Sequence, residues 1–247
     1  MKKISFLTLG FIFSASAFAQ IREFNQSGFH AGITGSFNSV WIINQNTYGA
    51  KELEYRPKYG FAYGAEIGYN ITRHLGIQLE GFYSQQGQNY YDVLSDGGKI
   101  NRQVDLTYSY TALMFKYIGG KTASFTQFYW LIGPQFGKKL TSGIQYNKKE
   151  FLPWDVNKDG VTDNQFFGKS DWGLAMGIGA DIRLAKFLYL NAGLRLYYGF
   201  QDINAAPYRI APSQFKPYEQ STNAFGGINL GVHYLLHRSK SNQPKFN

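Results

Sequence analysis

From residue 171 to residue 199 apolar residues alternate with small or polar ones at a period of two. Trp172, Leu174, Met176, Ile178, Ala180, Ile182 and Leu184 share one parity, and Gly173, Ala175, Gly177, Gly179, Asp181 and Arg183 the other. The alternation resumes after Ala185 and Lys186, with Leu188, Leu190, Ala192, Leu194, Leu196 and Tyr198 set against Tyr189, Asn191, Gly193, Arg195 and Tyr197. Period two sustained in this way predicts a hairpin of two long strands, each with one apolar face. A two-residue loop would oppose Leu184 to Phe187 and mix the faces. A loop over residues 185–187 instead pairs Leu184 with Leu188, Asp181 with Asn191 and Gly177 with Arg195, and every pair keeps its face.

Residue volume says which face is inside. Leu, Ile, Met, Trp and Tyr are too bulky to repeat around a narrow interior, whereas Gly, Ala and Asn fit one, and the polar face lacks the dense Lys and Glu of a soluble exterior. The apolar face is therefore expected to meet lipid. The same period predicts strands over residues 28–44, 60–71, from 75 onward, 103–118, 126–140 and 222–236. In the fourth of the eight, Val104, Leu106, Tyr108 and Tyr110 favour one parity and Leu113, Phe115 and Tyr117 the other, which predicts a bulge near residues 110–112. Pro134 falls mid-strand in the fifth and predicts a second irregularity. Links two-three, four-five and six-seven read as short, the others as long and polar. The expected fold is all-β, an eight-stranded antiparallel up-and-down transmembrane β-barrel with short periplasmic turns and long extracellular loops. Tyr, Trp and Phe near strand ends (Trp41, Tyr63, Tyr83, Trp130, Trp172, Tyr198) suit interfacial girdles.

The N-terminus changes the picture by adding export. Lys2 and Lys3, an apolar run over residues 4–13 and Ala17-Phe18-Ala19 read as a signal peptide over residues 1–19. A periplasmic segment over 20–27, a barrel over 28–237 and a periplasmic tail over 238–247 are expected to follow. No later stretch approaches the roughly 18 apolar residues of a spanning helix. The chain of 247 residues has 28 Gly, 18% aromatic residues and no Cys, so no disulfide framework or Cys-ligated zinc is available. Its formal charge of +9 suits anionic lipid headgroups or solvated loops in an exported chain, and nucleic acid is not an expected partner.

The stretches SYTALMFKY at residues 109–117, LIGPQFG at 131–137 and GGINLGVHYLL at 226–236, with the eight strands and the signal peptide, resemble the PorT-like outer-membrane β-barrel family. The resemblance covers nearly the whole mature chain and implies an outer-membrane location. One member type of that family serves a protein secretion machinery. The basic tail after the last strand, in place of a terminal aromatic, departs from the family pattern.

Three constellations could carry chemistry. A three-residue turn at Thr72-Arg73-His74 sets Glu66 opposite Glu80 on the inward face, where two carboxylates require a cation. Asp181, Arg183 and Arg195 are inward on nearby levels, and the expected result is a salt-bridge network that plugs the lumen. His30 and His233 face inward on the first and last strands with no inward carboxylate in either strand, and Ser39 and Ser84 offer no placeable nucleophile. Asp155, Asn157, Asp159, Val161 and Asp163, with Gly160 at the turn, match the first part of an EF-hand-type calcium loop. Phe166 stands where the bidentate carboxylate belongs, so calcium binding is expected to be weak unless Glu150 or Asp171 completes the site. The expected function is non-enzymatic: a monomeric, plugged outer-membrane barrel that contacts lipid and binds a protein partner through its loops. A small-solute porin and a lipid-modifying enzyme are the alternatives.

Overall fold

A strand with an apolar face toward lipid must also pair every backbone N–H and C=O, and a closed sheet is the arrangement that does both. The computed structural model describes residues 25–44, 54–121, 124–147, 163–209 and 217–238. Among them, nine strands form one antiparallel sheet: β1 (Gly28–Ile43), β2 (Glu54–Arg56), β3 (Lys58–Asn70), β4 (Leu75–Val93), β5 (Lys99–Gly119), β6 (Thr126–Tyr146), β7 (Ser170–Arg183), β8 (Leu188–Gly199) and β9 (Thr222–Arg238). From β3 to β9 each strand pairs with the next in sequence, and β1 lies between β3 and β9. The eight long strands thus form a closed up-and-down ring. The ninth, β2, was not foreseen. It continues β3 past Pro57 and pairs with β4, Tyr55 opposite Tyr90, with the register displaced by one residue from that of β3.

The alternation read from the sequence sets the two faces. Phe29, Ile33, Phe61, Phe128, Ile178, Leu194 and Ile228 point outward and are at least half exposed, while His30, Gln78, Gln127, Asp181 and Asn191 are buried inside. In the β7–β8 hairpin Asp181 pairs with Asn191 and Gly177 with Arg195, as the three-residue loop requires. Glu66 pairs with Glu80 across β3 and β4.

Three details differ from the reading of the sequence. The fourth predicted strand has no bulge at residues 110–112: in β5 the even-numbered residues from Ile100 to Ile118 are all buried. Val104, Leu106, Tyr108 and Tyr110 look lipid-facing by composition yet face inward, because the ring is filled by apolar residues at that end. The shift in register lies instead at Thr107/Tyr108, with Leu140 of β6 as the extra residue. Around Pro134 pairing with β5 lapses at Gly133 and Pro134, but the register is the same on both sides, and pairing with β7 is continuous. Proline only removes a donor there. The third connection is not a long loop. β4 and β5 are 19 and 21 residues long and meet in a tight turn over residues 94–98, where Leu94 N donates to Gly98 O and Gly97 takes φ +80°.

A tilted spanning strand needs about 9–11 residues, so β4, β5 and β6, at 19, 21 and 21 residues, continue roughly 25–40 Å along the strand beyond that length. The outward residues of β5 record the transition: Phe115 and Leu113 are followed by Thr111, Ser109, Thr107, Asp105 and Gln103. The inner side of this projecting wall carries aliphatic residues on β5 and β6 beside buried Gln86, Gln88 and Arg102. Val104, Leu106, Ile100 and Ile144 pack with Val40, Ile42, Phe167 and Ile203 and with Phe166 of the single helical turn α1 (Asp163–Phe166). If the parity of β5 is as described, Leu106→Ala destabilises the folded protein by about 2–5 kcal/mol, whereas the outward Thr107→Ala stays within about 0.5 kcal/mol of wild type. Denaturant midpoints in a fixed lipid environment measure both.

Candidate functional site

Every second residue of eight strands enters the ring, and several of those that do are charged and buried. At its centre Arg195 of β8 meets Glu80 of β4 with Nη2 2.6 Å from Oε2 and Nη1 donating to Oε1 at 3.0 Å. Arg195 Nη2 also donates to Gln135 Oε1 at 3.2 Å. Gln78 donates to both carboxylates that the register brings together, Glu66 Oε2 and Glu80 Oε1, each at 2.9 Å. The cation that this carboxylate pair requires is therefore Arg195.

Toward the short-turn end lies a second pair. Lys116 Nζ is 2.8 Å from Asp181 Oδ2, both side chains almost wholly buried. Asn191 donates to Asp181 Oδ1 at 2.8 Å, and Tyr129 donates to Asn191 at 3.0 Å. Lys116 lies over the Tyr129 ring at 5.0 Å. A buried ion pair withstands desolvation better when further hydrogen bonds reach it, and Asn191 supplies one to Asp181. Sequence reasoning missed Lys116. The available signal was its parity, since a lysine between the lipid-facing Phe115 and Tyr117 must point inward.

Arg183 does not occupy the centre. Its Nε donates to the Ala185 carbonyl in the turn between β7 and β8 at 3.2 Å. His233 was expected to lack a carboxylate neighbour in its own strand and the one beside it, but its Nε2 is 2.6 Å from Glu66 Oε1. The reason is Gly32 of β1, which pairs with Glu66 on one side and His233 on the other. With no side chain between them the two reach each other, and a Cβ on Gly32 would come within 2.7 Å of the His233 ring. His233 stacks on Tyr189 at 4.7 Å, and His30 lies 6.0 Å from His233 between ring centroids. Neither serine joins them. Ser84 is buried, accepts from Gln86 and pairs with Ala62, four residues or about 13 Å along β3 from Glu66. Ser39 is on the outward parity of β1.

Toward the other end the interior becomes aromatic. Tyr110 packs with Phe82, Tyr108, Tyr197 and Phe225, and its hydroxyl donates to Asp171 Oδ2 at 2.7 Å, which also accepts from Asn223 at 3.0 Å. Asp171 therefore belongs to the interior. Of the calcium-loop residues, Asp155, Asn157, Asp159 and Val161 lie outside the described residues, as does Glu150, and Asp163 opens α1. The signal peptide and the residues of the tail after 238 also lie outside them. Between the central ion pair and the aromatic layer remains a cavity of about 30 Å³ for the centres of water-sized molecules, edged by Glu66, Glu80, Asn191, Arg195 and Asn229.

Above the ring, Lys58 at the start of β3 lies 2.5 Å from Asp105 of β5 and donates to the Val104 carbonyl, which ties two strands of the wall together. After β8, Asp202 accepts from Tyr218 Oη at 2.6 Å and from the backbone of Asn204 and Ser221, and forms an ion pair with Arg209, whose Nε lies 2.9 Å away and donates to the Asn204 carbonyl. Burial, with the Asp202 carboxylate beside it, pushes the Tyr218 phenol up, so it remains a donor.

Removing one member of the central pair leaves a buried charge. Arg195→Met is expected to cost about 3–5 kcal/mol, and Arg195→Met with Glu80→Gln to recover most of that loss. Urea unfolding in lipid, run as a double-mutant cycle, checks the coupling.

A model of the outer membrane protein beta-barrel domain matches residues 18–205. Among solved structures, the outer membrane protein OprG from Pseudomonas aeruginosa is 17% identical with a TM-score of 0.45 over 87% of this chain and 99% of that one. Neisserial surface protein A is 13% identical with a TM-score of 0.46 over 85% and 98%. Ail, the attachment invasion locus protein of Yersinia pestis, is 12% identical with a TM-score of 0.35 over 84% and 99%. No curated protein matches the chain at a significant level. The family model alone spans well over half of the sequence, and on that match the chain belongs to the outer membrane protein beta-barrel domain family.

Proposed function

We propose that this outer-membrane barrel does not conduct and is not an enzyme, and that it works as a binding or accessory protein, docking a protein partner of the cell envelope on its projecting wall. One observation carries the reading: side chains occupy the interior at successive levels, Lys116 with Asp181, Arg195 with Glu80, then the aromatic layer around Tyr110. An eight-stranded ring is just wide enough for its own side chains, so these pairs close the lumen. The work then falls to the outside. The wall of β4, β5 and β6 supports it, because its outward face on β5 is polar where lipid would require apolar residues. In this reading the projecting end is extracellular and the short turns are periplasmic. An accessory role beside a larger outer-membrane assembly, such as a secretion machinery, fits the same surface.

A solute pore is the reading this one displaces, and conductance separates them. In planar bilayers the purified protein is expected to show no large steady channel, and a stable open level would overturn the proposal. Photo-crosslinkers at Gln103 and Ser109, outward on the wall, are expected to capture a protein in intact outer membranes. The same crosslinker at Ile33, in the apolar belt, should capture none.

A further inference from the structure

The outer face of the ring carries an amphipathic cleft where β6, β7 and β8 reach the rim from which the long strands project. Its floor is Pro134 and Leu174, which pair across β6 and β7. Its walls are Phe136, Trp172 and Phe200, exposed by 56%, 47% and 44%. Phe136 pairs with Trp172, and the Trp172 and Phe200 rings meet edge to face at 5.3 Å. Leu174 and Pro134 are shorter than these rings, so the belt is indented here.

Polar groups gather directly above the indentation. The outward parity of β6 continues from Phe136 to Lys138, which pairs with Ser170 of β7, and Lys169 precedes Ser170 and is exposed. Gln201 Nε2 donates to Ser170 Oγ at 3.0 Å, and both residues line the upper edge of the cleft. Among the described residues no carboxylate pairs with Lys138 or Lys169. The pair of cations marks this sector of the rim, since on β5 the residues above Leu113 are Thr111, Ser109 and Thr107, which carry no charge.

Cations just above an aromatic girdle stand at the depth of lipid phosphates, and an apolar indentation below them stands at the depth of acyl chains. We propose that this cleft binds a phosphate-bearing lipid of the adjoining leaflet. One acyl chain lies on Leu174 and Pro134 between Phe136 and the Trp172–Phe200 edge. The phosphate is held by Lys138 and Lys169, with the Ser170 hydroxyl as a further donor. A lipid held here would fix the barrel's depth and present a charged headgroup beside the projecting wall.

Tryptophan quenching tests this in the full chain. A variant with Trp41→Phe, Trp130→Phe and Trp154→Phe retains Trp172 as its reporter, and a companion retains Trp41, at the same rim on β1. Both are placed in phosphatidylcholine vesicles containing a small fraction of brominated lipid. At Trp172, brominated phosphatidic acid is expected to be favoured over brominated phosphatidylcholine as a quencher by up to about 30-fold, the scale of two basic residues at about 1 kcal/mol each near a membrane surface. Trp41 should show no preference. Lys138→Gln with Lys169→Gln should bring Trp172 to the level of Trp41, and Lys138→Arg with Lys169→Arg should keep the preference. Heat-modifiable gel mobility establishes that each variant is folded. Equal quenching by the two lipids at Trp172, the same preference at Trp41, or a preference that persists in the glutamine variant would overturn the proposal. So would release of the quenching by millimolar inorganic phosphate at matched ionic strength, because the site would then recognise phosphate without lipid.

Discussion

Closing eight strands into a ring forces every second side chain of each into a narrow space that bulk water does not solvate freely. The Arg195–Glu80 and Lys116–Asp181 pairs follow from that constraint. A charge in such a place must be matched or it costs several kcal/mol; each of these four has an opposite partner, and Arg195, Glu80 and Asp181 each share a further hydrogen bond with an amide side chain. The Arg195–Glu80 pair joins β8 to β4 across the lumen, and the Lys116–Asp181 pair joins β5 to β7 over the intervening β6, where backbone hydrogen bonds link only adjacent strands.

The interior accommodates these groups because small residues stand opposite large ones. Gly32 leaves space for the His233 ring, and a Cβ on Gly179 or Gly193 would meet the Tyr129 hydroxyl at 2.5 Å. Gly137 likewise faces the Tyr110 ring. At several inward glycines, Gly32, Gly68, Gly137, Gly179 and Gly193 among them, an aromatic or imidazole ring occupies the gap. Rigidity and occlusion therefore have one origin, complementary volumes fixed by strand register.

The same ring changes character along its axis. Charged and amide groups fill the short-turn end and the centre, aromatic residues the next level, and aliphatic residues the inside of the projecting wall. Outside, the order reverses, from an apolar belt to the polar outward residues of β5. On β5 the residues inside the wall are largely apolar and those outside polar, the reverse of the belt. The two halves differ because the solvent differs, lipid around the belt and water around the wall.

Alternation along single strands determined much in the sequence alone: the eight long strands, the β7–β8 register through Asp181 and Asn191, the opposition of Glu66 and Glu80, and the lipid-facing parity of Phe29, Ile178 and Leu194. These are legible because period two is a local property, and a wrong register would put every side chain on the wrong face. Only the tertiary structure decided which groups meet across the lumen. Lys116 reaches Asp181 over β6, the contact of His233 with Glu66 depends on ring closure through β1 and on the absence of a side chain at Gly32, and Arg183 Nε bonds within its own hairpin. The parity of Val104 and Leu106 was also undecided in sequence, since an apolar residue suits lipid and a dry core equally well. Hydrophobicity tells a residue to leave water; the fold chooses where it goes.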